Sequence, residues 1–132
     1  MEDKILQHRN GPIAHLIFNQ PEKRNAVSLE MWETVDKALQ TLKLDESIRA
    51  LILSGAGGKS FVAGADISKF DSERASKEGV TEYNNITKKV YDGVANFPRP
   101  TIAQIDGFCI GGGVGLAASS VSYTHLRAHE TV

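Results

Sequence analysis

The stretch TIAQIDGFCIGGGVGLA, residues 101–117, predicts a strand that leads through a glycine cluster into a helix of small residues. The segment RALILSG, residues 49–55, is likewise a continuous apolar run that ends at a glycine, which is typical of a strand buried on both faces. Between the two segments lies a helical pattern that ends at Pro98 and Pro100. Strands and helices therefore alternate along the chain, and the sequence predicts an α/β fold.

The residues before these segments predict a hairpin and an amphipathic helix. Residues 4–9 and 12–18 are short β-type runs separated by Asn10-Gly11, a strong hairpin signal. Ser28 is the expected N-cap of a helix from Leu29 to about Leu44. Two sets of residues recur at helical spacing and predict the buried stripes of the two helices. They are Met31, Trp32, Val35, Ala38, Leu39 and Leu42 in the first helix, and Tyr83, Ile86, Thr87, Val90, Val94 and Phe97 in the second.

Composition limits the class of protein. The chain has 132 residues, enough for one domain, and a formal net charge of −1, with no basic cluster that would indicate nucleic acid or an anionic membrane as partner. Its one cysteine, Cys109, excludes an internal disulfide and suits a reducing compartment. The first residues form neither a signal peptide nor a membrane span. We therefore expect a cytoplasmic protein without nucleic-acid or membrane partners.

Two glycine motifs resemble nucleotide-binding signatures but do not fit them. Gly58-Lys59-Ser60 could end a P-loop, yet Leu53 stands where that motif needs its first glycine, and no helix pattern follows at once. Residues 113–118 fit G-x-G-x-x-A, but the preceding strand ends several residues too early. The sequence also offers no acidic residue at the expected distance beyond it. We therefore expect neither a P-loop nor a dinucleotide site.

The two glycine segments are better explained as a pair. Gly64-Ala65 and Gly111-Gly112-Gly113 each follow a predicted strand and offer backbone that a ligand can approach closely. The second segment also opens a helix, whose first amides lack internal partners. Two such amides facing one carbonyl oxygen would form an oxyanion hole. Tight turns that pack helix against sheet are the alternative interpretation.

Three motifs in order resemble the enoyl-CoA hydratase/isomerase family, the crotonases. They are FNQPEKRNAVS at 18–28, ALILSGAGGKSFVAGADI at 50–67 and RPTIAQIDGFCIGGGVGLA at 99–117, and the resemblance covers about residues 4 to 119. It implies the N-terminal half of a spiral of ββα units that binds acyl-CoA thioesters. It also implies hydration of a 2-trans-enoyl-CoA to a 3-hydroxyacyl-CoA, no cofactor or metal, and assembly of the full-length protein into homotrimers or homohexamers.

The resemblance also assigns site residues. It places the two oxyanion-hole amides at Ala65 and Gly112. The expected contacts to the CoA moiety are Lys23, Arg24, Asn25, Ala26, Lys59, Gly64 and Gly111, with Lys69 a weaker candidate. For the lysines and the arginine, an ordinary solvated surface charge is the alternative.

One position departs from the two-glutamate pattern of hydratases. The first glutamate of that pattern lies three residues after the middle glycine of GGG, and Gly115 stands there. The second belongs to a C-terminal half that has no counterpart here, so no acid or base can be named. Asp66 is expected to cap a short helix. Isomerisation, thioester hydrolysis or decarboxylation of an acyl-CoA are therefore alternative reactions, and the chain as written is expected to be an inactive fragment.

The last residues do not continue the pattern. VSYTHLRAHET, residues 121–131, carries histidines and an arginine where the family has a further buried strand. The string resembles the in-frame translation of a sequencing-library adapter, and a genuine short tail is the alternative. We therefore expect residues 1–119 to be the N-terminal part of the domain and 120–132 to be a non-native tail.

Overall fold

The computed structural model describes residues 3–65, 77–109, 112–120 and 122–125. The helices and strands follow in a repeating order of two strands and a helix, which occurs three times in the described residues before a last strand. The elements are β1 Ile5–Asn10, β2 Ile13–Phe18, α1 Leu29–Leu42, β3 Ala50–Gly55, β4 Ser60–Val62, α2 Lys77–Ala95, β5 Thr101–Ile105, β6 Phe108–Cys109, α3 Gly112–Ser119 and β7 Ser122–His125. The predicted α/β class and its ββα units are confirmed.

Seven strands divide between two sheets in the described part of the chain. The larger sheet has the order β1-β2-β3-β5-β7, with β1 antiparallel to β2 and the remaining neighbours parallel. The smaller sheet consists of β4 and β6, which are parallel. In the second and third ββα units, the first strand therefore enters the larger sheet and the second strand enters the smaller one.

The N-terminal hairpin and α1 follow the sequence closely. The hairpin turn is one residue later than predicted, because Asn10 pairs with Ile13 and leaves Gly11-Pro12 as the loop. Gly11 has a φ of 61° at the first position of this loop, as a type II′ turn requires. Helix α1 begins after Ser28, whose Oγ accepts a hydrogen bond from the Met31 amide at 3.2 Å. All six residues of its predicted stripe are buried.

One face of the larger sheet carries the core, which corrects the prediction for β3 and β5. Both strands were expected to be buried on both faces, but in each one buried and half-buried residues alternate. Helices α1 and α2 pack against each other over one face, while Ile52 and Ile102 on the other face stay half-buried in the described part of the structure. An apolar run therefore shows that both faces are apolar, not that both are covered.

The last described strand falls in the predicted tail. β7 lies parallel to β5, with Ser122 opposite Ile102 and His125 opposite Ile105. These four residues thus have the backbone of a sheet strand, and the non-native origin of residues 120–132 stays a prediction. No helix among the described residues is long and apolar enough to cross a membrane.

Candidate functional site

The smaller sheet brings the two glycine segments to one edge. Val62 at the end of β4 is paired with Cys109 at the end of β6, and the strands run in the same direction. Ala65 and Gly112 each lie three residues beyond that pair along the chain. The carboxyl ends of neighbouring parallel strands are where α/β sheets commonly bind ligands. The two positions predicted to supply oxyanion amides therefore follow equivalent points of adjacent strands.

A bridge from another loop holds the first of these segments. The Val27 amide donates a hydrogen bond to the Gly64 carbonyl at 2.8 Å, and Val27 forms an isolated parallel bridge with Ala65. Gly64 has a φ of 101°, which a residue with a side chain rarely adopts. Val27 is fully buried, whereas Ala65 is exposed. The bridge to Val27 thus holds the backbone of residues 64 and 65 on one side, and the other side is accessible to a ligand.

The second segment begins helix α3. The first amides of a helix have no partner within it and lie at the positive end of its dipole. Gly113 lets α3 approach β4, because a Cβ there would lie 2.1 Å from the Val62 carbonyl oxygen. Gly111 lies outside the described residues, as do Asp66 and Lys69. The close contact sets Gly112, the first residue of α3, beside the end of β4.

Asn25 holds together the loops that the CoA prediction concerns. Its Nδ2 donates hydrogen bonds to the carbonyls of Ala56 at 3.0 Å and Ser60 at 2.8 Å, and its Oδ1 accepts one from the Gln20 amide at 2.8 Å. The side chain is completely buried. The expectation that Asn25 contacts CoA is therefore corrected: its amide group is used within the protein, and the residue positions the loops.

Lys23 and Lys59 are exposed on these two loops, and Arg24 is exposed beside them. Arg24 and Asn25 both have left-handed backbone, with φ of 54° and 59°. The Ser60 hydroxyl donates a hydrogen bond to the Arg24 carbonyl at 2.7 Å, which joins the loop of residues 20–26 to the start of β4.

A second contact leads from this loop to β6. The Arg24 guanidinium lies 4.9 Å from the centre of the Phe108 ring, and the Phe108 amide donates to the Lys59 carbonyl at 3.1 Å. Phe108 thereby contacts Arg24 through its ring and Lys59 through its backbone amide. The half-buried Ala26 accepts a hydrogen bond at its carbonyl from the Gln20 side chain at 2.7 Å. Contacts of the Arg24 and Gln20 side chains therefore hold this loop in place.

Tyr91 of α2 occupies the space beside Gly115. A Cβ built on Gly115 would lie 2.6 Å from Cζ and 2.7 Å from the hydroxyl oxygen of Tyr91. The ring stands edge-on to Trp32, with centroids 6.0 Å apart. Burial raises the pKa of the Tyr91 hydroxyl, which further favours its protonated form. The sequence did not identify Tyr91 as a site residue. It lies in a helical pattern that indicates only core packing, and no sequence signal shows that it contacts Gly115.

Within the described ranges, the remaining titratable candidates do not form a second centre. Burial raises the pKa of the Cys109 thiol, which opposes formation of a thiolate. His8 and His15 face each other across β1 and β2, away from the glycine segments. In the described residues, no three histidine, cysteine or acidic side chains are grouped in a way that could hold a metal.

Comparison with known proteins identifies the family. The sequence model of the enoyl-CoA hydratase/isomerase family matches residues 13–124. The chain belongs to the enoyl-CoA hydratase/isomerase family. A putative enoyl-CoA hydratase of Thermus thermophilus is 35% identical over 116 residues, which cover 86% of this chain and 45% of that protein.

Relatives with other reactions are almost as similar to this enoyl-CoA hydratase/isomerase chain. A mitochondrial Delta(3,5)-Delta(2,4)-dienoyl-CoA isomerase of Mus musculus is 33% identical over 116 residues, which cover 81% of this chain and 35% of the isomerase. The crystal structure of an enoyl-CoA hydratase/carnithine racemase from Magnetospirillum magneticum superposes with a TM-score of 0.84 at 37% identity, covering 100% of this chain and 53% of that one. The fold is thus the crotonase fold, and this chain spans about half the length of these proteins or less.

Proposed function

We propose that the full-length protein of this chain hydrates a 2-trans-enoyl-CoA to a 3-hydroxyacyl-CoA, as a lyase. The observation that carries the proposal is the placement of Ala65 and Gly112 at equivalent distances beyond the paired ends of β4 and β6. Backbone amides at these positions would donate hydrogen bonds to the thioester oxygen. Water adds its oxygen to the β-carbon, negative charge develops on the thioester oxygen, and a proton returns to the α-carbon.

The proposed site would bind the CoA moiety along the two loops that Asn25 joins. Lys23, Arg24 and Lys59 supply positive charge there, and phosphates are favourable partners for exposed cations. Gly64, Ala26 and Gly111 would contribute backbone. The substrate itself carries the CoA, so the proposal requires no separate cofactor and no metal. A cytoplasmic location, which rests on the composition of the chain, and a homotrimeric or homohexameric assembly, which rests on the family resemblance, are further proposals.

Gly115 favours, as the second candidate, a reaction of the same family other than hydration. A glycine provides no carboxylate to activate water or to move a proton. Isomerisation, hydrolysis or decarboxylation of an acyl-CoA would need a different acid or base and could use the same oxyanion amides. We further propose that the chain as written binds acyl-CoA without converting it. Product analysis of crotonyl-CoA, a 3-enoyl-CoA and a 3-hydroxyacyl-CoA, each incubated with the full-length protein, distinguishes these reactions.

Binding of crotonyl-CoA to this chain tests the proposal directly. Isothermal titration is expected to give saturable binding, and Lys59→Ala is expected to weaken it about fivefold through the loss of one phosphate contact. Lys37→Ala is the matched control, because it removes a lysine of α1 that is likewise exposed. Lack of saturable binding, or equal weakening by both substitutions, would contradict the proposed CoA site.

A further inference from the structure

The hydroxyl of Tyr91 lies beside the first turn of α3, on the helix that begins at Gly112. Three residues of an α-helix advance about 4.5 Å along its axis, so Gly115 and Gly112 are one turn apart on nearly the same side. The space in which residue 115 would begin its side chain holds the outer edge of the Tyr91 ring, with Cζ and the hydroxyl oxygen 2.6 and 2.7 Å from the Cβ position. A polar group thus stands where Gly115 contributes none.

The position of the Tyr91 ring is fixed from α2. Val90 and Val94 of this helix are buried in the core, and Tyr91 follows Val90 with a rotation of about 100° toward α3. The edge-on contact with Trp32 holds the ring from its other side. A residue larger than glycine at 115 would displace the outer edge of this ring, because Cζ and the hydroxyl oxygen lie closer to the Cβ position than van der Waals contact allows. Gly115 and Tyr91 are therefore complementary, and the hydroxyl is held in place.

We infer that Tyr91 is a specificity-determining residue of the candidate site, whose hydroxyl donates a hydrogen bond to an oxygen on the β-carbon of the bound acyl group. This inference rests on the proposed function, since it requires the thioester oxygen to lie at the Gly112 amide. An acyl chain that extends from that amide along the first turn of α3 brings its β-carbon toward Gly115. Tyr91 keeps its proton in this role, in agreement with the raised pKa of its half-buried hydroxyl.

Paired binding measurements on this chain test the inference. Affinities for 3-hydroxybutyryl-CoA and butyryl-CoA are compared in wild type, Tyr91→Phe and Gly115→Ala. Wild type is expected to prefer the hydroxylated ligand about three- to tenfold, the usual contribution of one hydrogen bond. Both variants are expected to lose this preference while keeping their affinity for butyryl-CoA. In Gly115→Ala the loss follows from displacement of the ring.

Thr87→Val is the matched control, because it removes a hydroxyl one turn earlier on α2 that donates to the Tyr83 carbonyl at 2.8 Å. This variant is expected to keep the wild-type preference. A preference that survives Tyr91→Phe, a wild type without preference, or equal loss in Thr87→Val would each overturn the inference while the proposed function stands. Failure of wild type to bind either ligand would contradict the proposed binding of acyl-CoA by this chain, and the inference with it.

Discussion

Replacement of Asn25 is the perturbation for which the structure gives the clearest magnitude. The side chain is fully buried and makes three hydrogen bonds, to the Ala56 and Ser60 carbonyls and from the Gln20 amide. Asn25→Ala removes all of them and leaves three backbone groups, two buried and one half-buried, without these partners. At about 1 kcal/mol for each bond, and about 1 kcal/mol more for alanine in a left-handed conformation, the free energy of unfolding should fall by about 4 kcal/mol.

Urea unfolding followed by the fluorescence of Trp32, which is buried in the core, measures this change. Asn96→Ala is the matched control, since its exposed side chain makes one hydrogen bond to the Asp92 carbonyl. That substitution should change stability by less than about 0.5 kcal/mol. A loss below about 1 kcal/mol in Asn25→Ala, or a loss equal to that of the control, would refute the hydrogen-bonded link between the two loops.

Asn25→Asp sharpens the same prediction. The aspartate can still accept from the Gln20 amide, but it turns a carboxylate oxygen toward the carbonyls of Ala56 and Ser60. It should therefore be at least as destabilising as alanine at neutral pH. Protonation of the introduced carboxylate restores one hydrogen-bond donor. The loss in free energy of unfolding relative to wild type should therefore shrink as the pH falls toward the acid range of carboxyl groups. A deficit that stays constant with pH would show that the carboxylate does not face the carbonyls.

Two further predictions concern a hydroxyl network and a histidine pair. The Tyr83 hydroxyl donates a hydrogen bond to the Val27 carbonyl at 2.7 Å and accepts one from Trp32 Nε1 at 2.9 Å. Tyr83→Phe should therefore lower the free energy of unfolding, measured in urea, by about 1–3 kcal/mol. An unchanged urea midpoint would contradict the network. Burial, and then the charge of His8, lower the pKa of His15 in the folded chain. His15 therefore binds a proton more readily in the unfolded chain, and the free energy of unfolding should decrease as the pH falls below about 6.5. His8→Gln removes the neighbouring charge and should reduce this decrease, measured as the urea midpoint against pH; an identical slope in both proteins would contradict the coupling.

Local features were predictable because their signals lie close together in the sequence. The whole of α1 follows from its N-cap and its apolar spacing, and each residue of its predicted stripe is buried. The glycine segments after β4 and β6 could be proposed as a pair from their strand-glycine pattern alone. Their parallel alignment through Val62 and Cys109 depends on sheet pairing, which the pattern does not specify.

Contacts between distant residues were not predictable. Val27 bonds to Gly64, and Tyr91 lies against Gly115, but neither pair leaves a periodic signal in one sequence. The buried role of Asn25 was missed for the same reason, since its partners lie on the loop after β3 and at β4. Burial of β3 and β5 was overestimated, because apolar residues on a face do not specify what covers it.

Polarisation of the bound thioester tests the oxyanion site most directly. Crotonyl-CoA labelled with carbon-13 at its carbonyl is bound to this chain, and the isotope-edited infrared band of that carbonyl is compared with the band of the free ligand. Two amides at Ala65 and Gly112 that donate to the oxygen weaken the double bond, so the band should move to lower wavenumber on binding. Saturable binding with an unshifted carbonyl band would contradict the oxyanion site.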